Sequence, residues 1–232
     1  SSISNLASGT YTLTVTDNNA CTSSASATIV NPLPITLSVN PTNVTCYGGT
    51  NGSILLSVSG GTGAYSYSWS NSSNTQNLNG LSAGFYSVVV ADINLCSAST
   101  STIVNQPTQI TTSTVVSNAT CFGVSNGSVD LTVNGGTGAY SYNWSNAAST
   151  QDITSVTAGT YHVTVTDGNS CTVSTSVVVS QSMQIVLAET HTNVSCNGGN
   201  NGSIDVTISG GTFPYTYNWS NGAVAQDVTN LT

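Results

Sequence analysis

The chain has 232 residues, no Lys or Arg, eight Asp plus Glu, two His and a formal net charge of −8. It therefore lacks the basic footprint on which nucleic-acid binding depends, has no cations for anionic lipid, and contains no run approaching the ~18 apolar residues of a membrane span. Its 38% hydrophobic content, with three Trp, is nonetheless enough to build a core.

The segment GGTGAYSYSWSN at 60–71 returns as GGTGAYSYNWSN at 135–146 and as GGTFPYTYNWSN at 210–221, a step of 75 residues each time. Cys46, Cys121 and Cys196 keep that step, and so do Cys21, Cys96 and Cys171. A fixed period without slippage means tandem copies of one folding unit. Residues 1–34 read as the C-terminal part of a truncated repeat, 35–109 and 110–184 as complete β-sandwich repeats, and 185–232 as the N-terminal part of another truncated repeat. Because Ser1 aligns with Gln76 and Gln151, the chain reads as a window on a longer array.

Within 35–109 the first strand, Ile35 to Val44, is interrupted by Pro41, which marks a sheet edge or bulge. The second, Ser53 to Ser59, sets Ile54, Leu56 and Val58 on one face, while in later copies Asp130 and Asp205 face outward. A glycine turn at Gly60 to Gly63 leads into Tyr65, Tyr67 and Trp69 alternating with serines. Trp69, Trp144 and Trp219 are expected to plug the core, with a sugar-stacking platform as the competing role.

Leu78 and Leu81 point inward on a short segment. Gly84 and Tyr86 then follow as in a tyrosine corner, with counterparts at Tyr11 and Tyr161, so these three tyrosines join the expected core. Asp152 and Asp227 have no acidic equivalent at Asn77 and are read as solvated surface. The strand from Tyr86 ends at Asp92, and a Ser/Thr-rich strand, Ser97 to Val104, leads through a joint of a few residues into the next copy. About seven strands and no helix are expected. The fold class is all-β: tandem immunoglobulin/fibronectin-III-like β-sandwich repeats of 75 residues forming an extended rod.

Six cysteines, two per repeat and without a CxxC pair, read as a disulfide framework in an oxidising compartment. In an immunoglobulin-like strand order Cys46 and Cys96 lie at opposite ends of one domain. This favours a staggered bond, Cys46–Cys171, between repeats; Cys46–Cys96 and Cys121–Cys171 within repeats are the second choice. Asp17, Asp92 and Asp167, each at a strand end beside an Asn, are weak calcium candidates, because one carboxylate per loop falls short of the oxygens calcium takes. The competing role for each is to accept backbone hydrogen bonds in its turn. No other metal or cofactor is expected. His162 and His191 do not recur, so a catalytic site would need unrepeated residues, and no enzyme is expected.

The motifs C-x-G-x-x-N-G-S-I, GGT-x-x-Y-x-Y-x-W-S-N and L-x-x-G-x-Y-x-V-x-V-x-D-x-x-x-C together resemble the SprB-repeat family. The resemblance covers essentially the whole chain. It implies a secreted, surface-tethered filament of gliding bacteria, a type IX secretion substrate that interacts with outer-membrane gliding and secretion machinery and grips the substratum. Ala64 and Ala139 depart from a frequent Pro, as at Pro214; Ala20, Leu95 and Ser170 stand where Gly is frequent; Val156 replaces Leu.

The function expected is a structural stalk segment of a long extracellular bacterial surface adhesin, partnered by other repeats of its own chain. The alternative is a carbohydrate-binding repeat module of a secreted polysaccharide-interacting protein. It would use the aromatic after the first Cys, Tyr47 or Phe122, which is Asn197 in the third copy.

Overall fold

The computed structural model describes residues 2–232; Ser1, the first residue of the leading partial repeat, lies outside the described residues. The chain divides into two compact units, residues 1–106 and 107–232. The described residues form strands and turns, with no helix.

In the first unit, β1 (Gly9–Thr16) and β2 (Thr22–Ile29) make an antiparallel hairpin. The complete repeat follows as β3 (Thr36–Thr42), β4 (Gly52–Ser59), β5 (Ser66–Trp69), β6 (Leu78–Leu81), β7 (Gly84–Ala91) and β8 (Ser97–Val104). These strands form two antiparallel three-stranded sheets, ordered β3-β4-β6 and β5-β7-β8. An immunoglobulin sandwich divides its strands in the same way.

The second unit repeats the arrangement with β9 (Thr111–Ser117), β10 (Gly127–Asn134), β11 (Ser141–Trp144), β12 (Ile153–Val156), β13 (Gly159–Thr166) and β14 (Thr172–Val179). It ends in a half-repeat, β15 (Val186–Thr192), β16 (Gly202–Ser209) and β17 (Val228–Leu231), paired in that order.

Each complete repeat has six strands, not seven. Pro41, expected to mark a sheet edge or bulge, stays in register opposite Ile54 on β3, the edge strand of its sheet. Because β3 is an edge strand, the N–H that proline lacks is not missed by a second neighbour.

Alternation decides what is buried. Ile54 and Leu56 of β4 meet Val88 and Val90 of β7 in one core, with Trp69 between the sheets, while Leu55 and Val89 point to solvent. The second core repeats this set as Val129, Leu131, Trp144, Val163 and Val165. Val44 N–H donates to the Asn105 carbonyl at 3.0 Å, and Ala119 N–H to that of Ser180 at 2.9 Å, so the end of the first strand is tied to the end of the last. The amide oxygens of Asn43 and Asn118 accept the N–H of Asn105 and Ser180 at 2.9 Å in both copies, which gives these residues a clamping role.

Glycine is required at the turn after the second strand. Gly60, Gly135 and Gly210 have positive φ, and a Cβ there would stand 2.0, 1.9 and 1.8 Å from the carbonyl oxygens of Pro34, Gln109 and Gln184. Tyr65, Tyr140 and Tyr215 each donate a phenol hydrogen bond to the carbonyl of that same glycine, pinning the turn from the core side.

Asp152 and Asp227 are exposed, as expected of solvated surface, but the pair at 76–77 and its counterparts also hold backbone. β6 pairs with β4 only as far as Ile54, which leaves the main chain of Leu56 without a strand partner on that side. Side chains fill the gap: Leu56 N–H donates to Asn77 Oδ1 at 3.0 Å and Gln76 Nε2 to Leu56 O at 2.7 Å. Asp152 and Gln151 treat Leu131 in the same way, and Asp227 and Gln226 treat Val206. Asp152→Ala strands the half-buried Leu131 N–H and is expected to destabilise the second repeat by about 1–3 kcal/mol. A urea midpoint indistinguishable from wild type would show that water replaces the clamp.

Candidate functional site

Among the described residues the buried polar side chains are Asp92 and Asp167, the aspartates closing the last hairpin of the two complete repeats. Asp92 Oδ1 accepts the N–H of Asn94 and of Cys96 at 2.9 Å, and its Oδ2 accepts Thr62 N–H at 2.9 Å from the glycine turn. Asp167 does the same with Asn169, Cys171 and Thr137, and both aspartates are buried. Asp17 holds Asn19 and Cys21 N–H at 2.8 Å in the N-terminal hairpin. The same turns place Ala20, Leu95 and Ser170 at φ of 64°, 62° and 65°, the left-handed region that favours glycine.

Burial raises the Asp167 carboxyl, but the N–H donors of Cys171, Thr137 and Asn169 together hold it below the ordinary carboxylate range. Both oxygens of Asp92 and of Asp167 face amide hydrogens, the wrong polarity for a cation. Among the described residues no group of three His, Cys, Asp or Glu comes together. His162 is exposed on β13, and His191 lies 3.4 Å from Glu189 on the half-repeat.

The aromatic stripe is part of the core. Trp69 and Trp144 are buried, and their indole N–H groups donate to Thr75 O at 2.8 Å and Thr150 O at 3.0 Å across the following loop. Trp219 makes the matching bond to Ala225 O at 2.8 Å but stays partly exposed, since among the described residues no strands cover it as β13 and β14 cover Trp144. Tyr142 donates to Gln151 Oε1 at 3.2 Å; burial, then its neighbours Tyr140 and Asp152, push its phenol pKa upward. The corner tyrosines Tyr11, Tyr86 and Tyr161 donate to the carbonyls of Ala7, Ser82 and Thr157 at 2.9, 3.0 and 2.9 Å.

Tyr47 and Phe122 project from the loop after the first strand, each about half exposed. That loop is rigidly built. Asn51 receives Thr45 N–H and donates to Thr45 Oγ1, and Gly48 N–H reaches Gln106 Oε1 at 2.8 Å. Asn126, Thr120, Gly123 and Gln181 repeat the set.

Cys46 and Cys171 are disulfide-bonded, whereas Cys21, Cys96, Cys121 and Cys196 are exposed free thiols. The within-repeat pairs Cys46–Cys96 and Cys121–Cys171 are therefore not formed. The reason lies in the topology of one sandwich: Cys46 follows Val44, which is tied to the far end of β8 at Asn105, while Cys96 precedes the first residue of β8. A strand of that length spans roughly 26 Å, several times the Cα separation a disulfide allows.

The SprB repeat family matches residues 38–74, 113–149 and 188–224. The chain carries SprB repeats. Each SprB match begins within the first strand and ends in the turn after the tryptophan, so it takes in the cysteine loop, the glycine turn and the indole. The tyrosine corner and the aspartate turn lie beyond it.

No curated protein matches the chain by sequence. Among solved structures, a three-immunoglobulin-domain segment of titin, I67–I69, is similar over 80% of this chain and 78% of its own, at 11% identity and a TM-score of 0.39. The eight N-terminal immunoglobulin domains of the Down syndrome cell adhesion molecule are similar over 97% of this chain and 54% of their own, at 11% identity and a TM-score of 0.28. Domains 4–9 of the surface layer protein SbsC are similar over 84% and 38%, at 15% identity and 0.26. The SprB repeats support a structural role in an extracellular, adhesin-type repeat protein.

Proposed function

We propose that this chain is a non-catalytic stalk segment of a long bacterial surface adhesin, of the gliding-motility or attachment kind, working outside the cell. The observation that carries the reading is how the recurrent polar side chains are used. Asp92, Gln76, Asn77, Asn43, Tyr86 and Trp69, with their counterparts, all hold the backbone of their own repeat. Chemistry repeated in every copy thus goes into holding shape.

Stiffness is supported by the joint between the second and third repeats. Ser182 Oγ donates to Thr120 O at 3.1 Å on one side and meets Thr212 Oγ1 at 3.1 Å on the other, while Gly211 N–H donates to Met183 O at 2.9 Å. The counterparts of that last bond, Gly61 to Leu33 and Gly136 to Thr108, recur at 2.7 and 2.9 Å. A joint bonded on both sides has little freedom to swing. The oxidised state of Cys46 and Cys171 supports a staggered Cys46–Cys171 bond stapling one repeat to the next.

Small-angle scattering should report an elongated particle about one domain wide, and a non-reducing peptic map should contain a Cys46–Cys171 peptide; a compact globule would refute the stalk. A second reading, binding of surface polysaccharide, is favoured only by the exposure of Tyr47 and Phe122. It requires saturable glycan binding that Tyr47→Ala abolishes.

A further inference from the structure

Surface charge separates the first complete repeat from the second. Between residues 35 and 109 there is no Lys, Arg or His, and the one acid, Asp92, is buried. That repeat shows no charged side chain to solvent, in a chain whose net charge is −8. The second repeat exposes Asp130, Asp152 and His162.

The difference is greatest on the outer face of the β5-β7-β8 sheet. Phe85 and Val89 of β7 are 64% and 48% exposed, and Ile103 of β8, opposite Phe85 in the ladder, is 54% exposed. Ser87 stands between Phe85 and Val89 and pairs with Ser101, while Ser68 and Ser99 flank Val89. Small hydroxyl side chains thus surround three large apolar ones on an uncharged face.

The fold does not require these apolar residues. Their counterparts to Phe85, Ser87 and Val89 are Thr160, His162 and Thr164 on β13 and Thr10, Thr12 and Thr14 on β1, and all three hairpins keep the same register. Both sheets of the first repeat are complete, so the exposure of this face owes nothing to an unpaired strand.

We propose that this face pairs with the same face of a second copy of the chain. Its spacing is self-complementary, because Phe85 and Val89 stand two residues to either side of Ser87. A two-fold axis crossing the strands at Ser87 sets Phe85 of each copy over Val89 of the other and Ile103 over Ser99. Sheets stack about 10 Å apart, and the serines at the axis leave room for that approach. In the second repeat His162 fills the same place.

Charge points to the same occupant. Copies of like charge repel where carboxylates are exposed, and the first repeat exposes none. Sliding the first repeat over the second would instead set Phe85 against the hydroxyls of Thr160 and Thr164 and bring His162 to the axis, which selects the pairing of like repeats. Because the contact itself is uncharged, added salt screens the remaining repulsion and strengthens it.

Area sets the affinity. The strands β7 and β8, with β5 alongside, offer about 300–400 Å² a side, well under the ~800 Å² a side of a standard stable complex. The pairing is therefore weak and reversible, with a dissociation constant on the order of 100 μM. It needs only the folded first repeat and is independent of a stalk role.

The test is equilibrium sedimentation of the full chain across roughly 10–500 μM, with the exposed thiols alkylated so that no new disulfide forms. Phe85→Thr, Val89→Thr and Ser87→His introduce what the second repeat itself carries at these positions, and Leu55→Asp copies Asp130 onto the opposite sheet. Thermal melts of the face variants should match wild type, which separates loss of the contact from loss of the fold. The expected result is a monomer–dimer equilibrium promoted by salt, weakened roughly tenfold or more in Phe85→Thr and in Ser87→His, less in Val89→Thr, and kept in Leu55→Asp. Monomers at every concentration, association indifferent to the face variants, or association that salt weakens would each overturn the pairing. Monomers that bind a neutral polysaccharide through Phe85 would overturn it too, and would assign the face to a glycan.

Discussion

Trp144→Ala should unfold the second repeat while the first stays folded. Trp144 is only 2% exposed, packs among Val129, Leu131, Ile153, Val163 and Val165, and pairs across the ladder with Val163. Removing an indole from such a site costs about 3–5 kcal/mol. A sandwich of this size has roughly 4–11 kcal/mol of stability to lose, so the substitution takes a large share of it and, toward the lower end of that range, nearly all. Trp144→Phe retains much of the packing and gives up chiefly the N–H donated to Thr150 O, a smaller loss of about 1–2 kcal/mol. Because the two complete repeats have separate cores, hydrogen exchange resolved by peptide is the suitable measurement. Protection should collapse across 127–179 and persist across 52–104. Retained protection in the second repeat would mean that the two tyrosines and the valines suffice to hold the sheets together.

The strands were legible because their causes are local. Alternation in β4 and β7, the glycines at 60–63 and the inward-facing tryptophan all lie in short stretches, and the fixed period supplied three readings of each. The tyrosine corner was legible for the same reason, as a residue bonded to a carbonyl four positions upstream. Contacts between elements distant in sequence were less visible. Nothing in the strand pattern shows that β6 stops pairing at Ile54, so the exposed Asp152 and Asp227 were read for their solvent contact alone, and the bonds by which the Gln and Asn/Asp pair completes the edge of β4 went unread. Their recurrence at 151–152 and 226–227 was the available signal. Pro41 was legible too, because a proline that cannot donate to a second neighbour belongs on an edge, and β3 is the edge strand of its sheet.

Asp92→Ala and its counterpart Asp167→Ala should be the most damaging polar substitutions, and acid should reproduce part of the effect at Asp167. The carboxylate of Asp92 draws together two N–H groups of its own hairpin and one from the glycine turn thirty residues earlier, so it joins the two turns at one end of the sandwich. Alanine leaves the Thr62, Asn94 and Cys96 N–H groups to find water in a largely buried site, each at about 1–3 kcal/mol where water does not reach. Asn at either position keeps one acceptor oxygen for the hairpin, but its amide NH₂ then faces the third donor; it should fall between wild type and Ala.

The pH dependence follows from the direction of the Asp167 shift. Its folded carboxyl titrates below the ordinary value of 3.8, so the unfolded chain takes up the proton first as pH falls. The stabilisation from this group is present above the ordinary carboxylate pKa and is lost as pH drops through the lower, folded value. Thermal melts of the second repeat should therefore be flat with respect to this group near neutrality and decline below about pH 4. Asp167→Asn should start from a lower melting temperature and show a shallower acid decline. Equal acid slopes in wild type and Asp167→Asn would assign the acid sensitivity to other carboxylates and leave the turn aspartate a purely geometric role.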